Sequence, residues 1–301
     1  MQLRQTLNAA IERLTNAQVP SPRMNAELLI MFTLDCERSY LYAHPERELT
    51  PEETCRYDEV LARRTTGVPA QYITGHQEFW GTDLIVSPAV LIPRPETEHL
   101  VETVLELASA VVSKQGQEQD QRPGIGVYAP HDLRIVDVGT GSGAIALALA
   151  KDLPAAEVHA TDISSEALKL ARINALRHEL GSRIEFHRTD LLDGFAPASF
   201  DFVVSNPPYV GDSEADSVEL EVRKFEPRSA VFAGPTGLEV IERLIPQARE
   251  VLRPGGWLVF EISGTIADQV HDLLSSWNRV AIRNDLQGIA RVALARKSAS
   301  G

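Results

Sequence analysis

Asn206, Pro207, Pro208 and Tyr209 follow directly on the β-branched run FDFVVS. Two prolines in succession remove two N–H donors and stiffen the backbone, so neighbouring carbonyls turn outward as acceptors. Asn206 adds a side-chain carbonyl, and Tyr209 a flat aromatic face. Acceptors that converge over a ring suit a planar NH2 group. Both hydrogens are gripped while the nitrogen lone pair faces an incoming electrophile. Amide and aromatic amines are poor nucleophiles because that lone pair is delocalised. Rigid acceptors favour a pyramidal nitrogen without reorganising as the reaction proceeds. Holding the nitrogen in line with the electrophile supplies the rest, since effective molarities reach ~10⁵ M or more. No general base is needed at the outset, because the nitrogen becomes acidic once alkylated.

A second group carries a different chemistry. Asp137-Val138-Gly139-Thr140-Gly141-Ser142-Gly143 joins the apolar run RIVDV to the run AIALALA. Glycines at such a strand-to-helix turn let the backbone bend tightly and approach a ligand closely. Asp162 closes the next β-type run, VHATD, where a carboxylate accepts hydrogen bonds from ribose hydroxyls. Asp190 closes the run FHRTD and is placed to meet an adenine amino group. Gly139, Gly141 and Ala144 also satisfy the looser dinucleotide fingerprint, so this loop alone admits NAD as well as other nucleosides. No accompanying set of residues for placing a hydride acceptor is present.

These groups need a scaffold that brings strand ends to one edge. From Leu133 onward, β-type runs alternate with helical patterns, which predicts βαβ units and a mostly parallel sheet covered on both faces. Ligands in such sheets sit beyond the carboxyl ends of the strands, where the strand order switches. The last two runs, RVAIRND and ARVALAR, are separated by a short turn and predict an antiparallel hairpin ending the sheet.

The first 76 residues read as a small helical domain. Leu3, Leu7, Ile11 and Leu14 recur at helical spacing. Ser21-Pro22 opens a second helical segment, and Thr50-Pro51-Glu52-Glu53 is a capping-box signature. Residues 77–95 read as a β-hairpin linker turning at Gly81, with Phe79 and Trp80 in packing roles, and residues 96–301 as the catalytic domain. Within it a helix is predicted over 96–112, followed by a polar Gly/Pro/Gln-rich loop or linker over 113–132. Residues 212–226 hold six carboxylates and read as a solvated acidic loop.

Composition narrows the class. The chain has 301 residues, 44% hydrophobic and 24% charged, which excludes collagen-like, disordered and disulfide-scaffold proteins. No aliphatic run approaches the ~18–20 residues of a membrane span, and the amino terminus has no signal-peptide block. Two cysteines, Cys36 and Cys55, fit a reduced cytoplasm. The net charge is −13, and the first 85 residues, with 8 Arg and 12 Asp/Glu, are themselves acidic. Backbone binding to nucleic acid releases counterions through Lys and Arg, so this balance argues against a nucleic-acid partner. The eight histidines show no ligand spacing, and no metal is expected.

The Asn-Pro-Pro-Tyr tetrad resembles the signature of S-adenosylmethionine-dependent methyltransferases that modify planar NH2 nitrogens. The segment from Val90 to Glu98, VLIPRPETE, narrows the likeness to the HemK family, the release factor glutamine methyltransferases. RRTTGVPAQYITG ending at Gly75, EFWG at 78–81, Phe225-Glu226-Pro227-Arg228, Gly237-Leu238 and Asp285-Leu286-Gln287-Gly288 are similar to that family too, so the resemblance runs almost end to end. It implies an α/β, Rossmann-like methyltransferase domain, with a seven-stranded sheet and a terminal antiparallel hairpin, behind a small all-α amino-terminal domain. The implied reaction moves a methyl group from S-adenosylmethionine, leaving S-adenosylhomocysteine, to the side-chain nitrogen of the glutamine in the Gly-Gly-Gln motif of peptide chain release factors. Asn206 and the Pro207 carbonyl would hold the amide, with Pro208 and Tyr209 packing beside it. Gly139, Thr140, Gly141, Ser142, Gly143, Asp162, Asp190, Leu191 and Asn206 would hold the cofactor. Arg94 or Glu96 would line the cleft, and the helical domain would grip the protein substrate. An adenine-N6 methyltransferase acting on DNA or RNA uses the same four-residue grip and is the alternative.

Overall fold

A computed structural model describes residues 1–119 and 133–299. The chain forms two compact units, one of Met1–His76 with Val218–Phe225, the other of Gln77–Ser217 with the residues from Glu226 onward.

The first unit holds α1 (Leu3–Asn16), α2 (Pro22–Leu34), α3 (Arg38–Ala43), α4 (Pro51–Thr65), α5 (Ala70–Thr74) and, from far along the chain, α9 (Leu220–Phe225). Leu3 and Leu14 of α1 are fully buried, and Leu7 and Ile11 pack against the same cluster. Thr50 caps α4 in both directions: Glu53 N donates to Thr50 Oγ1 at 3.2 Å, and Thr50 N to Glu53 Oε2 at 2.9 Å. Arg64 is buried, so its charge requires partners. It donates to Asn25 Oδ1 at 2.7 Å and Val68 O at 3.1 Å, and pairs with Glu221 at 2.7 Å.

The hairpin β1 (His76–Phe79) and β2 (Thr82–Ile85) begins at the last residue of the first unit and otherwise belongs to the second. Its two turn residues, Trp80 and Gly81, both have positive φ, the backbone that matches strand twist in a two-residue turn. Phe79 lies in the core. A 3₁₀ turn, Pro95–Thr97, leads into α6 (Glu98–Gln119). This helix outruns its predicted end at 112 and takes in residues read as linker. Lys114, Gln115, Gln117, Glu118 and Gln119 are good helix formers, and one interior glycine costs only about 1 kcal/mol. The remainder of the predicted linker lies outside the described residues.

Then follow β3 (Arg134–Val138), α7 (Ala144–Asp152), β4 (Glu157–Asp162), α8 (Ser165–Arg177), β5 (Ile184–Arg188), β6 (Phe200–Ser205) and β7 (Val210–Gly211). After them come α10 (Arg228–Val231), β8 (Phe232–Gly234), α11 (Glu239–Val251), β9 (Leu252–Glu261), α12 (Ala267–Leu273), β10 (Asn278–Asn284) and β11 (Ala290–Arg296). Seven strands form one sheet in the order β10-β11-β9-β6-β3-β4-β5, parallel from β9 to β5, with β11 and β10 antiparallel at one edge. The seven-stranded α/β sheet and its terminal hairpin are those expected. Alternate residues of β3 and β6 enter two separate apolar clusters, Ile135 and Phe202 on one face, Val136 and Val203 on the other. Burial on both faces explains why these strands read as continuous apolar runs.

From β3 the chain moves outward through β4 and β5, then returns to the other side of β3 with β6. The switch point therefore lies between β3 and β6, and both chemical motifs leave the sheet there. The acidic stretch 212–226 is less exposed than expected. Glu221 pairs with buried Arg64, and Glu226 is itself buried, accepting from Ile92 N at 3.0 Å and pairing with Arg94. Two of its carboxylates thus act as internal struts whose partners lie far back in the sequence.

Candidate active site

Beyond the β3–β6 switch lies a cavity of about 410 Å³, within the range of small-molecule sites. Gly139, Thr140, Gly141, Ser142, Asp162, Asp190, Leu191, Asn206 and Pro208 all line it. Gly139 and Gly141 have φ of +74° and +56°, and a Cβ built on either would meet only open space, as a backbone cradle requires. Gly143 does something else. A Cβ there would sit 2.7 Å from Leu147 Cδ1 and 3.3 Å from Ala171 Cβ, so this glycine serves helix packing.

Asp162 is fixed as a carboxylate facing the cavity. Gly141 N donates to its Oδ2 at 2.9 Å and Ser164 N to its Oδ1 at 2.8 Å, while burial pushes its pKa upward. Asp190 departs from expectation. β5 ends at Arg188, and the Asp190 carboxylate is ion-paired with Arg243, which also lines the cavity. Leu191 follows in a left-handed backbone conformation, φ +52°, held by Thr161 Oγ1 donating to its carbonyl at 3.0 Å.

Asp137 supports the loop from beneath. Its Oδ2 accepts from Thr140 Oγ1 at 2.6 Å and Ala146 N at 3.2 Å, but Oδ1 is buried without a partner. Burial, with the nearby Asp162 charge adding to it, pushes this carboxyl up to about 7. The folded protein therefore binds more protons than the unfolded chain between about pH 4 and pH 7, and this group makes stability fall as pH rises through that window. Asp137→Asn keeps an acceptor for Thr140 and Ala146. Urea midpoints followed across the window should drop less in this variant than in the parent, and equal slopes would refute the assignment.

At the other side of the switch, four side chains from three chain segments form one relay. Asn206 Nδ2 donates to Thr97 Oγ1 at 3.0 Å, Thr97 Oγ1 donates to Glu261 Oε2 at 2.6 Å, and Tyr209 OH donates to Glu261 Oε1 at 3.0 Å. Glu261 is buried, which pushes its pKa upward, while the two hydroxyl donors and the Arg291 charge oppose that shift. Because the carboxylate only accepts, the Thr97 proton points at Glu261, and the Thr97 oxygen must receive the Asn206 NH2 group. That fixes the Asn206 amide with Oδ1 as the acceptor left to offer. Tyr209 is largely buried, and burial beside Glu261 drives its hydroxyl pKa up, so it remains a donor. Of PRPETE, Pro93 and Thr97 line the cavity, and Arg94 and Glu96 are not among the lining residues. Thr97 and Glu261 were missed as site residues, and Pro207 and Tyr209 sit outside the cavity lining.

The Asn-Pro-Pro-Tyr backbone is braced by Gly237. Its φ is +86°, and a Cβ there would lie 2.6 Å from Tyr209 O and 3.1 Å from Gly211 N. Gly237→Ala should lower stability by about 1–3 kcal/mol through strain and overpacking, with a matching loss of activity. Gly288→Ala, at φ +80° with open space around it, is the control for strain alone. Equal urea midpoints for the two variants would show that the clash is relieved.

Residues 5–75 match the family described as PrmC N-terminal domain, and residues 127–223 the methyltransferase small domain. The chain is 51% identical over its whole length to the whole of the release factor glutamine methyltransferase of Koribacter versatilis (strain Ellin345). It is 38% identical to the Nitratidesulfovibrio vulgaris (strain Hildenborough) protein of the same name, over 97% of this chain and 94% of that one. In structure it resembles the hMettl16 catalytic domain, solved with the MAT2A 3′UTR hairpin 6, at TM-score 0.53 and 16% identity, over 81% of this chain and 83% of that one. That likeness extends to the methyltransferase fold alone. With full-length identity to such relatives and both of its regions matched, the chain belongs to the release factor glutamine methyltransferase family.

Proposed function

We propose that this enzyme transfers a methyl group from S-adenosylmethionine to the side-chain amide nitrogen of the glutamine in the Gly-Gly-Gln motif of peptide chain release factors, in a cytoplasmic setting. The observation that carries the reading is the Thr97–Glu261 relay, which orients Asn206 as an acceptor at the wall of a cavity floored by the glycine loop. When bound, S-adenosylmethionine supplies an electrophilic methyl group on a sulfonium.

The cavity fits such a ligand: the cradle over Gly139 and Gly141 is open, and Asp162 offers a fixed carboxylate to ribose hydroxyls. Asn206 Oδ1 accepts one amide hydrogen of the substrate glutamine, and the Pro207 carbonyl accepts the other. Tyr209, tied through its hydroxyl to Glu261, limits movement of the loop that carries them. Rigid acceptors of this kind stabilise the pyramidal nitrogen as its lone pair leaves conjugation. The helical residues 1–76 take the role of gripping the protein substrate, and residues 77–95 link them to the catalytic residues 96–301.

The test is transfer of labelled methyl from S-adenosylmethionine to an unmethylated release factor, beside the same factor with its Gly-Gly-Gln glutamine changed to Ala. Label on the first alone supports reaction and site together. Label on neither, with the cofactor bound, overturns the reading and returns attention to adenine-N6 methylation of nucleic acid. In that case binding to DNA or RNA should weaken steeply with salt.

A further inference from the structure

His159 on β4 and Glu185 and His187 on β5 meet on one face of the sheet, away from the loops that shape the cavity. The register explains their meeting: His159 is the direct partner of Glu185, and His187 lies two residues along the same strand as Glu185, where side chains return to the same face. His159 Nδ1 lies 3.0 Å from His187 Nε2 and 3.6 Å from Glu185 Oε2, and His187 Nε2 lies 3.5 Å from Glu185 Oε1. Two ligand atoms about 2.0–2.1 Å from a tetrahedral ion are held ~3.3 Å apart. The two histidine nitrogens are near that spacing, and each faces a different oxygen of Glu185, with one ligand atom from each of the three residues lying within 4.8 Å of the others.

The surroundings are those of a ligand set. Glu157 Oε1 accepts from His159 Nε2 at 2.8 Å, which places the ring proton there and turns the Nδ1 lone pair toward the cluster. Arg134 in turn holds Glu157 at 3.0 Å, and its Nη2 also lies 3.3 Å from His159 Nε2. The remaining cation nearby, Arg172, is engaged by the Phe186 carbonyl and ring. Phe195 and Phe200 stand edge-on to the histidines and exclude water from the buried side. The His159 side chain is 4% exposed, His187 28% and Glu185 65%, so the fourth corner opens to solvent.

We propose that His159, Glu185 and His187 bind a divalent transition-metal ion of the zinc class, with the fourth position left to water. Imidazole nitrogens with one carboxylate suit zinc, cobalt or nickel and are poorly matched to calcium or magnesium. The ion clamps β4 to β5 just below Asp162 and Asp190, the two acidic residues that face the cavity. It steadies the strand ends there and takes no part in methyl transfer. Sequence spacing did not disclose this set, because the third ligand comes from the adjacent strand.

The test uses the full-length protein stripped with a chelator and titrated with Zn²⁺ against a chromophoric competitor. Saturable binding is expected, with a rise in the thermal midpoint, and Co²⁺ should give the visible absorption bands of a four-coordinate ion. His187→Ala should remove the saturable phase and the bands while keeping the metal-free midpoint and circular dichroism of the parent. If that variant folds poorly, the more exposed Glu185→Gln takes its place. Glu157→Gln touches no metal and should weaken binding by about 10–100-fold through loss of the ring's orientation. Equal zinc binding by the parent and His187→Ala, or no saturable binding at micromolar metal, overturns the proposal and leaves a hydrogen-bonded histidine pair.

Discussion

Asn206→Ala is expected to lower methyl transfer by about 10²–10³-fold, the usual cost of removing one preorganised acceptor or donor at a reacting group. The loss should fall on kcat. Asn206 occupies the wall of the cavity, whereas the glycine loop and Asp162, which leave β3 and β4, stay intact. Affinity for S-adenosylhomocysteine, measured by calorimetry, should therefore stay within a few-fold of the parent. Single-turnover transfer to a release factor gives the chemical step directly. Turnover at the parental rate would remove Asn206 from the mechanism, and a chain acting only as a cofactor sensor would show that result.

Thr97→Val tests the relay behind it. Valine keeps the shape of threonine and deletes the hydroxyl, so Asn206 Nδ2 loses its acceptor and Glu261 Oε2 its 2.6 Å donor. The Asn206 amide is then free to turn, and loss of positioning of this kind costs up to about 10²-fold in rate. A buried carboxylate short of one donor also costs about 1–3 kcal/mol of stability. Thr97→Ser should restore both, since it returns the hydroxyl. A merely structural role would lower stability while leaving kcat per folded molecule unchanged. The relay also sets the acid limb of the rate. Glu261 has a pKa above the ordinary 4.5, and a proton on either oxygen takes the acceptor from one of the two hydroxyls and breaks the relay, so activity present at higher pH should fade on acidification before an ordinary carboxylate would titrate.

What the sequence disclosed was chemistry held in contiguous residues. The glycine loop and Asn-Pro-Pro-Tyr each lie within one turn at a strand end, and the alternation of runs was enough to put both on one edge. The capping box at Thr50 was legible for the same reason, because all of its atoms come from four successive residues. The relay was not. Asn206 and Thr97 are 109 positions apart, and Thr97 and Glu261 are 164 apart. Moreover, Thr97 sits among the prolines and glutamates of a helix start, whose local signals are fully explained by capping and the helix dipole. Glu226 was hidden differently. Within a run of carboxylates it looks like its solvated neighbours, and only the fold brings Ile92 N and Arg94 to it. Asp190 was read as a strand-end carboxylate meeting adenine; the fold puts it on the cavity wall as half of an ion pair, which the sequence hides because Arg243 lies on a helix 53 positions on.

The strand order β9-β6-β3-β4-β5 carries a consequence for how the molecule comes to be active. Pairing β6 with β3 closes a loop containing two complete strand–helix excursions, and the Glu261 contact closes a longer one. Chain closures of that length are paid in entropy before any contact rewards them, and they slow folding. The β3–β4 and β4–β5 ladders, which join near neighbours, can form without them. Helical signal should thus return early after dilution from denaturant, while the ability to methylate returns only with the final long-range closures. Activity in this fold is a late reporter, gained by the chain as a whole rather than by any one segment.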